Sequence, residues 1–278
     1  MTDSGPATSL SRAPRPDLRP FVELVWASAG GAEAAVGAGR ELVLPTGALH
    51  LVVRLEPRPL RVFRGADDAV GFAVGAAVIG GARAAPYLRD ISTPVPSVGA
   101  LLRPGAAGLL IGAPAGEFSG AHTPLEAVWG DAGVARLRDG LCAAGTPARR
   151  LDLFEAALAA RLPPLRRIDP RVAQALAGFA AARPVAAVAR EVGASHRHFT
   201  QLFREAVGLT PKTFCRLRRF GRALDRLTAE PGIAWADLAA AEGYADQPHF
   251  ARDFRAFAGL SPGDYRRRAP AAPRHVPL

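Results

Sequence analysis

The C-terminal third of this chain repeats itself. Ala189–Arg216 laid over Ala240–Arg267, 51 positions further on, shares 11 of 28 residues, among them His198/His249, Phe199/Phe250, Phe203/Phe254, Arg204/Arg255, Gly208/Gly259 and Pro211/Pro262. A single pair of copies does not make a solenoid, which needs at least about three repeats to bury its core, so one small unit is used twice. In the first copy Val185, Val188, Ala189 and Val192 recur at helical spacing and Gly193 breaks the run. Ser195 follows as an N-cap, and a second helix of about His196 to Val207 buries Phe199 and Phe203 while Arg197, Thr200, Gln201 and Arg204 face outward. The second copy reads Leu238 and Ala239, a break at Gly243-Tyr244, Asp246 as N-cap, and a helix of about Gln247 to Ala258. A helix, a short turn and a second helix with an Arg-bearing outer face form the helix-turn-helix pattern.

The run Gly243-Tyr244-Ala245-Asp246-Gln247-Pro248-His249-Phe250, then Phe254-Arg255, then Gly259-Leu260-Ser261-Pro262-Gly263-Asp264-Tyr265-Arg266 resembles the signature of the AraC/XylS family of bacterial transcription regulators. The likeness covers roughly residues 169–268. It implies two helix-turn-helix units joined by one long helix, here about Pro211–Thr228, each unit placing its second helix in the major groove one DNA turn apart. By position in that motif, the base-reading residues are Arg197, Thr200 and Gln201 in the first unit and Gln247, Ala251 and Arg252 in the second. Arg pairs with guanine, Gln with adenine, and Thr or Ala methyls meet thymine. Pro248 departs from the polar residue found there in some relatives and removes one base contact. Ser195, His198, Arg204, Arg218, His249 and Arg255 are the expected phosphate contacts. For His198 and His249, packing of the helix is the alternative.

Charge supports a polyanion partner. Residues 1–165 carry 16 Arg against 15 acids, a net of +1, whereas residues 166–278 carry 18 Arg and Lys212 against 10 acids, a net of +9. The excess coincides with the repeat, which a merely solvated surface would not explain. Arg216, Arg218, Arg219 and Arg222 on the connecting helix, and Arg266–Arg268, are read as phosphate contacts.

The first part of the chain reads as α+β. Arg19–Ser28 is a strand or short helix. Leu42, Leu44, Leu49, Leu51 and Val53 alternate around Pro45-Thr46-Gly47, which predicts a hairpin. Leu60–Phe63, Phe72–Ile79 and Val98–Leu102 are further strands. Asp131–Ala143 and Pro147–Leu162 are amphipathic helices, and Pro163-Pro164 ends the second. The expected organisation is therefore an α+β effector or dimerisation domain (17–162), a linker (163–168) and an all-α domain holding both helix-turn-helix units (169–268). Flexible tails (1–16 and 269–278) flank them. The Arg103-Pro104-Gly105 turn and the Pro124–Gly130 stretch resemble the N-terminal region of a less-characterised group of AraC-type sensors.

No nucleophile with a base, no Gly-rich phosphate loop and no CxxC pair is present, so neither catalytic residues, a cofactor nor a metal are expected. His50 reads as a strand-face histidine, Cys142 and Trp129 as core residues. Arg103 is the one candidate for holding an effector anion, with a structural salt bridge as its alternative. The chain has no apolar run of membrane-span length and no signal-peptide pattern, so a cytoplasmic protein is expected. The reading that results is a sequence-specific regulator of promoter DNA, responsive to a small-molecule effector, activating through RNA polymerase, and able to form a homodimer. An enzyme, or an architectural protein without an effector, fused to a DNA-binding domain is the alternative.

Overall fold

The structure is a computed structural model that describes residues 9–30, 39–164, 167–270 and 272–278. The chain begins with strands β1 (Ser9–Arg12), β2 (Val22–Ser28), β3 (Arg40–Val43), β4 (His50–Arg54), β5 (Arg61–Phe63), β6 (Phe72–Ala73), β7 (Ala77–Gly80), β8 (Tyr87–Asp90) and β9 (Ser97–Leu102). Helix α1 (Ala107–Leu110), a 3-10 turn (Ala115–Phe118), strand β10 (His122–Pro124) and helices α2 (Glu126–Trp129), α3 (Asp131–Ala143) and α4 (Pro147–Arg161) complete this half. The strands form two antiparallel sheets, ordered β1-β2-β9-β4-β7-β10 and β3-β8-β5-β6. Period-two alternation sorts the larger sheet's side chains. Val25, Leu51, Val53, Val98 and Ala100 are buried on the face that α4 crosses at β1, β2 and β9. Trp26, His50, Val52 and Leu101 take the other face and line a cavity between the sheets.

Helices α5 (Pro170–Ala180), α6 (Val185–Glu191), α7 (His196–Val207), α8 (Pro211–Ala229), α9 (Trp235–Ala241), α10 (Gln247–Ala258) and α11 (Pro262–Arg268) follow. Each long one starts at a side-chain cap, as Asp169, Ser195, Thr210 and Asp246 accept from backbone N–H groups of the first turn. Gly208 and Gly259 close α7 and α10 in the left-handed conformation.

The two halves share a core. The 3-10 turn packs on the end of α7, where Ser119 Oγ donates to the Gly208 carbonyl at 2.7 Å. The Pro45-Thr46-Gly47 turn meets α8, so closely that a β-carbon on Gly47 would stand 2.8 Å from Leu217. Beyond α11 the chain returns to the N-terminal half as strand β11 (His275–Pro277), which pairs antiparallel with β3 and buries Val276 completely.

Several expectations are corrected. The alternating run 41–55 is no hairpin: β3 pairs with β8 and β11, β4 with β7 and β9, and the Pro45-Thr46-Gly47 turn carries the chain from one sheet to the other. Alternation identifies a half-buried strand but does not choose its partner. Phe72–Ile79 splits into β6 and β7. Of the supposed tails, residues 1–8 lie outside the described residues, Ser9–Arg12 is β1, and His275–Pro277 is β11. Cys142 is exposed, and its thiol donates to the Leu55 carbonyl.

Because β11 buries one apolar side chain against β3, Val276→Ala is expected to cost about 2 kcal/mol. The exposed Leu278→Ala should stay within about 0.5 kcal/mol. Urea unfolding of both variants checks this, and equal midpoints would show that β11 adds nothing to the sheet.

Candidate nucleic-acid interface

The repeat persists at the level of packing. Phe199–Phe203 ring centroids lie 6.1 Å apart and Phe250–Phe254 5.6 Å. Phe203 meets Phe214 edge-on at 5.4 Å, and Phe254 meets Tyr265 edge-on at the same 5.4 Å. With these faces buried, the opposite faces of α7 and α10 are turned outward. Arg197 and Gln201 are exposed and Thr200 half-buried on α7, while Gln247 and Arg252 are exposed and Ala251 half-buried on α10.

The turns of the two units differ by one residue. Val188 and Ala189 on α6 and Leu238 and Ala239 on α9 are the buried residues at the same places in their helices, an offset of 50 rather than 51. Gly193 and Gly243, both left-handed, keep that offset. The N-caps Ser195 and Asp246 are 51 apart, so Tyr244 is an added residue in the second turn. Its N–H donates to the Ala239 carbonyl at 2.9 Å and the Gly243 N–H donates to Ala240 at 3.1 Å, which together make a Schellman motif. The identities Ala189/Ala240 and Glu191/Glu242 therefore pair residues that are not structurally equivalent.

The basic residues divide into two sets. On α8, Arg216 Nη2 donates to the buried Asp253 carboxylate of α10 at 2.6 Å. Arg219 donates to the Gly243 carbonyl at 2.8 Å and lies 4.7 Å over the Tyr244 ring. Arg222 pairs with the buried Glu242 at 2.9 Å. Three cations that sequence reading assigns to phosphate instead clamp the second unit onto the connecting helix. Arg266 covers the Trp235 ring and donates to Ile233, Arg267 pairs with Asp264, and Arg268 donates to Pro277. Arg197, Arg204, Arg252 and Arg255 form the other set. All four are exposed on α7 or α10, and none forms an ion pair with a described carboxylate. Arg218 is half-buried 6.0 Å from the Phe214 ring.

The paired histidines have different surroundings. His198 is exposed at the start of α7, where its N–H donates to Ser195 Oγ. The His249 ring is held in the turn: Nδ1 accepts from the Ala245 N–H at 3.4 Å, and the ring meets Tyr244 edge-on at 5.3 Å.

The N-terminal half holds a cavity of about 690 Å³ between its sheets, lined by apolar residues such as Leu24, Trp26, Val52 and Leu101 and by His50, Arg83, Tyr87 and Arg89. Ala272, Arg274, His275 and Pro277 form part of its wall. Arg103 is not there: it is exposed and donates to the Arg19 carbonyl at 2.8 Å, a backbone contact and not a salt bridge. His50 does line the cavity, a role that its alternating strand alone could not reveal. Its ring sits over Gly80, where a β-carbon would come within 2.1 Å of it. Burial first, then the charges of Arg83 and Arg89, push its pKa down to about 4. Burial, Arg83 and His50 push His122 down to about 3. Burial favours the neutral acid of Glu41, but a hydrogen bond with His275 and the charge of Arg89 outweigh it and hold the carboxyl low. Among the described residues no cluster of three His, Cys, Asp or Glu could hold a metal ion, and no helix is long and apolar enough to cross a membrane.

Residues 188–268 match the family described as helix-turn-helix domain, and residues 11–124 match a domain of unknown function (DUF6597). No curated protein matches the chain. Among solved structures, ToxT from Vibrio cholerae in its 1.65 Å form matches with a TM-score of 0.43 at 9% identity, over 83% of this chain and 96% of that one. ToxT bound to (E)-4-(8-methylnaphthalen-1-yl)but-3-enoic acid matches with 0.43 at 9% identity, over 82% and 96%.

Two predictions follow from this geometry. Arg216→Ala strands the buried Asp253 carboxylate and is expected to cost about 1–3 kcal/mol, toward the lower end because solvent reaches Arg216. A double-mutant cycle with Asp253→Ala should show coupling, and strict additivity would dissolve the clamp. The histidines give a pH dependence. Their folded pKa values lie below the ordinary 6.5, so as pH falls the unfolded chain takes up protons first. Stability is complete above about 6.5 and declines as pH drops toward 4. Melting curves from pH 7.5 to 4.5 should show the decline, and His50→Gln should make it shallower.

Proposed function

We propose that this chain, which carries a C-terminal AraC-type helix-turn-helix domain and is a DNA-binding transcription regulator, answers to a small-molecule effector and activates transcription. The observation that carries the effector reading is the shared wall of the cavity. Arg274, His275 and Pro277 reach it from beyond α11, the last helix of the DNA-binding domain, while the other walls belong to the N-terminal sheets. A molecule bound there touches the strand that ties the end of the DNA-binding domain to the N-terminal sheets. It changes DNA affinity by as much as its affinity differs between two arrangements of that wall. His275 and Arg89 both contact Glu41, at 3.0 and 2.6 Å, so the joint is a charged one that a ligand can perturb.

In the DNA-bound arrangement α7 and α10 enter successive major grooves. Arg197, Thr200 and Gln201, and Gln247, Ala251 and Arg252, read base edges. Arg204 and Arg255, further along the same helices and without carboxylate partners among the described residues, meet phosphates, and the Ser195 cap, His198 and Arg218 add to that set. His249 contributes by holding the turn. The helix α8, about 28 Å long for its 19 residues, joins the two units. Activation through contact with RNA polymerase is the leaning of AraC-type regulators and is carried over from that likeness.

Sheared genomic DNA captured on the full-length protein is expected to contain pairs of short boxes with centres about 10–10.5 bp apart. Arg197→Ala or Arg252→Ala should each cost about 1–3 kcal/mol on such a site and relax base preference at one position. Arg204→Ala or Arg255→Ala should weaken all sequences alike and lower the salt dependence of binding by about one unit of slope. Retention of wild-type affinity and preference by both Arg197→Ala and Arg252→Ala would sink the docking arrangement.

A further inference from the structure

We propose that the cavity between the two sheets binds an organic anion with an apolar body, whose charged end pairs with Arg83. The proposal rests on the effector reading above and adds the chemistry of the ligand.

Charge balance within the cavity is the first argument. Four arginines line it, Arg54, Arg83, Arg89 and Arg274, against two carboxylates, Glu41 and Asp90. Neither is an ion-pair partner of Arg83 among the described residues. Glu41 accepts from Arg89 at 2.6 Å and contacts His275 at 3.0 Å, and Asp90 accepts the Ser92 N–H at 2.8 Å. Arg54 donates to the Arg58 carbonyl and Arg274 to the Pro45 carbonyl. Arg83 has only neutral partners among the described residues: it donates to the Ala121 carbonyl at 2.9 Å, lies 3.2 Å from His122 Nδ1 and stacks 4.4 Å over the Tyr87 ring. His50 and His122 beside it are held neutral. A partly desolvated guanidinium with no counter-charge costs free energy, and an anion in the cavity offsets that cost.

Shape is the second argument. Leu24, Trp26, Val52, Leu60, Val78 and Leu101 give the walls a mainly apolar surface. At about 690 Å³ the space suits a small organic molecule and far exceeds what an inorganic ion fills. Gly80 makes room for the His50 ring, which occupies the place where a side chain on Gly80 would stand.

The test uses the full-length protein and matched pairs of ligands in isothermal titration calorimetry. Benzoate, 4-phenylbutyrate and octanoate are compared with benzyl alcohol, 4-phenylbutanol and octanol, and with inorganic phosphate. At least one acid is expected to bind one-to-one and about 10- to 100-fold tighter than its alcohol, the range of a charge-assisted contact, with phosphate alone not binding. Arg83→Gln should abolish the preference for acid over alcohol, and Arg83→Lys should keep most of it. Leu101→Trp, which fills the cavity, should remove binding of both, with melting curves confirming that each variant folds. Equal binding of acids and alcohols, an undiminished preference in Arg83→Gln, or no binding by any acid would overturn the proposal. DNA affinity is measured separately with and without the best acid. Acid-selective binding that leaves DNA affinity unchanged keeps the anion site and removes the effector reading. A DNA response to the alcohols alone keeps the effector reading and removes the anion site.

Discussion

Four phenylalanines decide which way the DNA-binding domain faces. Phe199 and Phe203 on α7, and Phe250 and Phe254 on α10, are all essentially buried, and their spacing of four puts each pair on one side of its helix. Once those sides are fixed, the helices cannot rotate without exposing two large rings, and the residues opposite are held outward. The edge-on partners Phe214 and Tyr265, at the same 5.4 Å in both units, lock the pairs to the helix that follows. Everything proposed about base and phosphate contacts depends on this anchoring, because the arginines themselves carry no information about direction.

The repeat made this half of the chain legible. Caps, helix ends and the outward residues could be read because they are local: Ser195 and Asp246 cap within three residues, and Gly208 and Gly259 stop their helices directly. The α8 arginines were not legible in the same way. An exposed arginine and one bonded to a carboxylate 37 residues away look alike in a sequence, and only packing shows that Arg216 faces Asp253. The one-residue difference between the turns was hidden for another reason. Chance identities at the wrong offset, Ala189/Ala240 and Glu191/Glu242, masked the insertion of Tyr244. In the N-terminal half the strands around Leu51 and Val98 could be recognised but their neighbours could not. The hairpin expected at 41–55 failed because strands of equal alternation fit either sheet, and the cavity followed from that unread pairing.

The two halves handle arginine in opposite ways. Around α8 the guanidiniums are spent on Asp253, Glu242 and a backbone carbonyl, so charge there contributes to rigidity. On α7 and α10, and at Arg83 in the cavity, guanidiniums are left without acid partners among the described residues. A chain in which Lys212 is the only lysine makes this division with one residue type, distinguished by what packs nearby. The neutral His50 and His122 belong to the same pattern, since the positive field of Arg83 and Arg89, added to burial, keeps them uncharged.

The pairing of β11 with β3 also sets an order of events during synthesis. Glu41 and His275 are 234 positions apart, so β3 leaves the ribosome long before its neighbour exists. At about 5–20 residues per second, the edge of the smaller sheet waits on the order of ten seconds or more for its last strand. Through that interval β3 presents unpaired backbone groups, the kind of edge on which sheets add foreign strands. Glu41 meanwhile lacks His275, one of the two groups that hold its charge in the finished protein. The N-terminal half therefore reaches its final form only after the DNA-binding helices have been made, and the wall of the cavity that β11 supplies is the last part of the fold to close.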